Sequence, residues 1–156
     1  MRQHDKLINA AAKKVLSPHG LFRKGTSRTW VDDNGYFVIF VSFGSSNWSQ
    51  SARLGVGIDF LWKYDSGGPG TGFSYSYGNS SIEDFFEYDG NDAVFQTKME
   101  RYSEIGLQKV IEYRNFRDMG YAKRCLTQQV FNTPESRRFW ENYHLAMLCF
   151  LKGDYE

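Results

Sequence analysis

The chain has 156 residues, 41% of them apolar and 24% charged, with a net charge of +1. That length suits one domain, 1–156, which buries about 70% of its unfolded surface without disulfide or metal staples. The near-zero charge offers no global field to draw nucleic acid or anionic lipid. Thirteen Phe and ten Tyr raise the aromatic share to 17%, which favours a thick core containing a sheet.

Residues 3–16 read as a helix, with Ile8, Ala11, Ala12 and Val15 on one face. His4 falls where such a helix frays. Ser17, Pro18, His19 and Gly20 end it, because the residue before proline avoids the helical region. Residues 26–32 read as a strand around Trp30. Asp33, Asn34 and Gly35 give a tight turn into 36-YFVIFV-41, which is apolar on both alternating faces and so fits a central strand. That run is far too short to span a bilayer.

The clearest alternation is in 52–62, with Ala52, Leu54, Val56, Ile58, Phe60 and Trp62 on one face. Arg53, Gly55, Gly57 and Asp59 line the other. Residues 63–72 form a turn-rich loop, and 73–77 alternate as a fourth strand. From about residue 80 the period lengthens. Ser80 and Glu83 fit a capping box, and Phe95, Met99, Tyr102, Ile105, Val110 and Tyr113 follow as a long helical stripe that Gly106 breaks or bends. A shorter helix covers 121–130. The last begins at Thr133 and Pro134, with Phe139, Tyr143, Ala146, Met147 and Phe150 as its apolar face. The order predicts an α+β fold: an N-terminal helix, an antiparallel meander of about four strands, then three or four helices packed on the sheet.

Chemistry-bearing motifs are scarce. Gly67, Gly72, Phe73 and Ser74 approach a phosphate-binding loop, but Phe73 stands where the lysine belongs and a strand pattern follows where a helix is required. The three histidines and two cysteines, Cys125 and Cys149, show no zinc spacing, and the thiols read as buried and free. No nucleophile elbow and no spaced acid/base pair occurs. No cofactor, metal, nucleic-acid partner or membrane partner is expected. The charged N-terminus lacks an apolar signal core, so a soluble cytoplasmic protein is expected.

Two features suit recognition. Gly55 and Gly57 leave a bare strip between Arg53 and Asp59, a shallow groove for a small ligand unless another element packs there, the commoner use of a strand glycine. Trp48, Tyr64, Tyr75 and Tyr77 gather with Trp62 and Tyr88 around the Gly-rich loop. Glu83, Asp84 and Glu87 begin an acidic stretch, matched by a basic one over 109–124, and such patches steer charged partners.

The segment VLSPHGLFRKGTSRTW, the strand YFVIFVSFGSSNW and then ARLGVGIDF resemble the bacterial family catalogued as domain of unknown function 4304. Lys24, Gly25, Trp30, Ser46, Leu54, Gly55 and Val56 fall at matching places, while Gly44 stands where a glutamine is expected and one residue is added near Leu21 and Phe22. The resemblance covers roughly residues 1–62. It implies an α+β domain with no established activity or cofactor, and extends to small immunity proteins that neutralise a toxin. The expected function is therefore a non-enzymatic protein-interaction domain, the alternative a small-molecule-binding protein or enzyme using Arg53, Gly55, Gly57 and Asp59.

Overall fold

A computed structural model describes residues 2–63 and 75–154. Tyr64 and the Gly-rich loop lie outside the described residues. Helix α1 spans Gln3–Leu16 and buries Ile8, Ala11, Ala12 and Leu16. A proline-led turn, Ser17–His19, stops it. Five strands follow: β1 Phe22–Arg23, β2 Thr29–Asp33, β3 Phe37–Gly44, β4 Ser51–Phe60 and β5 Tyr77–Glu87. They pair antiparallel in chain order, so the sheet is a simple meander. Helices α2 Asp92–Tyr113, α3 Met119–Asn132 and α4 Phe139–Lys152 complete the α+β fold.

The meander holds five strands where about four were expected: the two-residue β1 is an addition, and the fourth expected strand, 73–77, meets β5 only at Tyr77, residues 73 and 74 lying outside the described residues. Strand β3 is buried on both faces, as its unbroken apolar run requires. Phe37, Ile39, Val41 and Phe43 face the main core together with Leu54, Val56, Ile58 and Phe60 of β4. Val31, Val38 and Phe40 form a smaller cluster on the opposite face, packed against Tyr75. The β2–β3 turn works as its sequence implies. Gly35 adopts φ +85°, and its N–H donates to Asp33 Oδ1 at 3.0 Å.

Residues 80–87 correct the expected helix. They belong to β5, and Ser80 and Glu83 cap nothing. The pairing of β5 with β4 steps from Ala52–Phe86 to Leu54–Glu83 to Val56–Asn79, with the excess residues on β5. These bulges shift the period-2 phase, so the strand leaves no regular alternation. The helix starts later, where Asn91 accepts from the Val94 N–H at 3.2 Å.

Gly106 does not break α2, which runs through it. A Cβ there would stand 3.0 Å from Val41 Cγ1, so the glycine lets the helix backbone lie close on β3. Thr133 closes α3 rather than opening the last helix: its N–H and its Oγ1 both bond the Gln129 carbonyl, at 3.0 and 2.8 Å. A short turn, Glu135–Arg137, intervenes before α4 begins at Phe139. His4 does not fray. It is buried, and Arg28 Nη2 lies 2.7 Å from its Nε2. The same guanidinium bonds Asp5 Oδ1 at 2.6 Å and the Ser51 carbonyl at 3.0 Å, fastening α1 to the sheet. No helix among the described residues is long and apolar enough to cross a membrane.

Candidate functional site

The residues singled out in the sequence fall at two ends of the sheet. Six residues of strand separate Arg53 from Asp59, about 20 Å along β4, so they do not share a site. The strip between them is filled. A Cβ on Gly57 would fall inside the ring of Tyr75, and one on Gly55 would stand 2.8 Å from the Ser80 carbonyl oxygen. Tyr75 donates its hydroxyl to Ser42 Oγ at 3.0 Å, which holds the ring down, and burial raises its phenol above the ordinary value. Asp59 is buried and engaged by the Ser76 N–H at 3.0 Å, Ser76 Oγ at 3.1 Å and Lys63 Nζ at 3.3 Å. The glycines thus serve close packing, and Asp59 anchors the chain entering β5.

The other end is open. Trp48, in the β3–β4 connection, is 96% exposed. Arg53 lies over the ring of Phe85, 5.2 Å from its centroid. Ser51 pairs with Glu87 and Leu54 with Glu83, so the carboxylates of Glu83, Asp84 and Glu87 decorate the free edge of the sheet. The basic stretch is largely engaged inside the molecule. Arg114 makes a two-pronged ion pair with buried Asp32, both bonds 2.9 Å, and also donates to the His19 carbonyl. Burial alone would raise Asp32, but the bonds from Arg114 and Asn34 outweigh it and hold the carboxyl below its ordinary value. Arg117 donates to Asn34, Lys109 pairs with Glu112 and Lys123 with Asp154.

The feature that sequence reasoning placed wrongly is α4. Its expected apolar face was Phe139, Tyr143, Ala146, Met147 and Phe150, but the residues it buries are His144 and Leu148. The apolar arc continues past that footprint. Phe139 is 72% exposed, Trp140 50%, Leu151 48%, and Phe131 at the end of α3 71%. Trp140 stacks on His144, with ring centroids 6.0 Å apart, and meets Phe139 and Tyr143 edge-on. The arc was legible in the sequence as apolar spacing; which half of it faces inward was not. His144 is sealed by Phe60, Trp62 and Trp140, and its Nδ1 accepts from Trp62 Nε1 at 3.1 Å. Burial lowers its pKa to about 4, so it is neutral, with Nε2 carrying the proton.

Among the described residues no group of three or more His, Cys, Asp or Glu is arranged to hold a metal ion. Both cysteines are free and half-buried, less enclosed than the sequence suggested. The class defined by these observations is an α+β meander with one helical layer on its sheet and an aromatic helix face left uncovered. Compared with known proteins, the chain matches no family model, no curated protein and no solved structure.

Proposed function

We propose that this chain is a non-enzymatic protein-binding domain that docks its partner on the outer half of α4. The observation that carries the reading is an apolar arc wider than the footprint the helix buries. Trp140, Tyr143, Met147 and Leu151 recur at steps of three and four residues, the spacing that receives one amphipathic helix. Large aromatics in such a position act as anchors in protein interfaces. Arg137 before its first turn is an exposed basic group bordering the arc; Lys152 in its last turn is exposed as well but lies 3.4 Å from Asp154 Oδ2. The fitting partner segment is an amphipathic helix with acidic flanks. The acidic edge with Trp48, Glu83, Asp84 and Glu87 supplies a second charged surface that sets the orientation of approach. A toxin-neutralising role is the form this reading takes if the resemblance to domain of unknown function 4304 holds.

The test is affinity capture with the native chain against a Phe139→Ser, Trp140→Ser double variant, with light scattering on both. Phe139 is largely exposed but Trp140 also covers His144, so thermal unfolding of the variant, compared with the native chain, establishes that it is folded before capture is read. The expected result is a protein retained by the native chain and lost by the variant, with a loss of about 2 kcal/mol or more in binding. Its contacting segment should be helical and acidic. Capture that is unchanged by the double variant overturns the α4 surface. Self-association of the native chain that the variant abolishes assigns the face to a second copy instead.

A further inference from the structure

The first turn of α1 meets the sheet through one guanidinium. Arg28, just before β2, donates from Nε to Asp5 Oδ1 at 2.7 Å, from Nη1 to the Ser51 carbonyl at 3.0 Å and from Nη2 to His4 Nε2 at 2.7 Å. A guanidinium offers donors only, so Nε2 must accept and the imidazole is neutral, with its proton on Nδ1. The pairing of β3 with β4 ends at Gly44 and Arg53, two residues short of Ser51. Arg28 therefore supplies a donor that strand pairing does not, and the connection it holds, 45–50, carries Trp48.

The groups around His4 come from four places. Its own helix and the residue before it bring Asp5, 3.8 Å from Nε2, and Arg2, which itself pairs with Asp5 at 3.5 Å. The segment before β2 brings Arg28, and the 45–50 connection brings the uncharged Gln50. Ahead of α2, Tyr88 stacks on the imidazole with centroids 6.2 Å apart and donates its hydroxyl to Asp92. Asp5 is the nearest anion, and Arg28 already occupies it. His4 Nδ1 is buried and has no hydrogen-bond partner, so the closed arrangement holds an unmet donor and resists opening less. A second proton on the ring would set donor against donor and cation against cation at 2.7 Å. Burial, opposed by Asp5 and joined by Arg28, lowers the imidazole from its ordinary 6.5.

We propose that His4, Arg28 and the Ser51 carbonyl form an acid-released latch, in which a proton taken from solvent by His4 expels Arg28. Expulsion frees the first turn of α1 from the sheet and, through Ser51, the connection that displays Trp48. The rest of α1 stays in place, because Ile8, Ala11, Ala12 and Leu16 are fully buried. The closed form holds above pH 6.5 and gives way as pH falls below it, since the opened histidine takes the proton first. The latch uses no residue of α4 and stands whether or not that face binds a protein.

Two NMR measurements on the full chain test it. The first reads the ring nitrogens of His4 at about pH 7.5, well above the ordinary histidine value. The expected result is a bare Nε2 with the proton on Nδ1, and a proton on Nε2 overturns the latch without any variant. The second follows amide hydrogen exchange, as protection relative to the intrinsic rate at each pH. Protection should fall about ten-fold between about pH 7.5 and 5.5 at residues 5–8. The same fall is expected at Tyr88, whose N–H donates to the Gln50 carbonyl at 2.7 Å. Exchange at these sites should not respond to dilute urea, because a local opening exposes little surface. His4→Gln keeps a neutral acceptor for Arg28 and should hold protection constant across the range, whereas His144→Gln should leave the fall intact. A fall that survives His4→Gln overturns the proposal. So does exchange as urea-sensitive as that of β3, which would assign the loss to global unfolding.

Discussion

Gly57 and Trp48 show how differently two residues of similar sequence prominence behave. Both mark positions where recognition residues are often found, one as a bare strand glycine and one as an exposed tryptophan. Gly57 is a packing site. A methyl group there displaces the Tyr75 ring, which is tied to Ser42 and covers Val31, Val38 and Phe40. We expect Gly57→Ala to destabilise the fold by about 1–3 kcal/mol, the usual cost of forcing extra volume into a packed layer. Trp48→Ala, at a fully open position, stays within about 0.5 kcal/mol. Urea unfolding of the two variants separates the cases, and equal stabilities would remove the structural role of the Tyr75 cover. That another element packs on the glycines is the commoner use of strand glycine and the reading the sequence favours; which element does so is not readable there. The strip of Arg53, Gly55, Gly57 and Asp59 was correctly assigned to one strand face. What fills it depends on the register that brings Tyr75 and Ser76 back over β4, and no local pattern encodes that.

Elements were legible where a period survived. Strands β3 and β4 alternate or run apolar in the middle of the sheet, and α1 and α2 carry clean stripes. Strand β5 was hidden because its bulges break the phase, and the true start of α2 lay in Asp89, Gly90 and Asn91 rather than at Ser80. The inward half of α4 was hidden for another reason: an apolar arc of half the circumference names two candidate faces, and only tertiary contact with Phe60 and Trp62 selects one. The C-terminal end of α2 is fixed to β2 by Arg114 and Asp32, a contact of 82 residues' separation. Asp32→Ala leaves Arg114 partly buried without its carboxylate, so it should cost about 2–3 kcal/mol. Adding Arg114→Ala to it should recover part of that loss, since the stranded charge is gone. A double-mutant cycle from chemical denaturation measures the coupling, and simple additivity would mean that the pair is not a fastener.

For the whole molecule, buried histidines set a pH limit. His144 titrates at about 4 in the folded chain and at 6.5 when exposed. The unfolded state therefore takes the proton first. Stability from this group is complete above about pH 6.5 and is lost as pH falls toward 4, by about 3 kcal/mol in all. Burial lowers His4 in the same direction, whereas the depressed carboxylates Asp5 and Asp32 add their loss only below about pH 4. His144→Gln keeps an acceptor for Trp62 and should flatten the profile between pH 6.5 and 4. A profile as steep as that of the native chain would show that His144 is solvated.

The bulges of β5 also decide what the sheet cannot do. A meander leaves its last strand with a row of unsatisfied backbone groups, and a straight, apolar row of that kind templates the strands of other molecules. Here the pairing is interrupted twice, the Asp84 carbonyl is taken by the Tyr102 hydroxyl, and three carboxylates stand along the rim. A strand arriving from another copy would find neither matching register nor matching charge. The irregularity that concealed β5 in the sequence is thus a safeguard against fibril growth, built into the one edge long enough to need it.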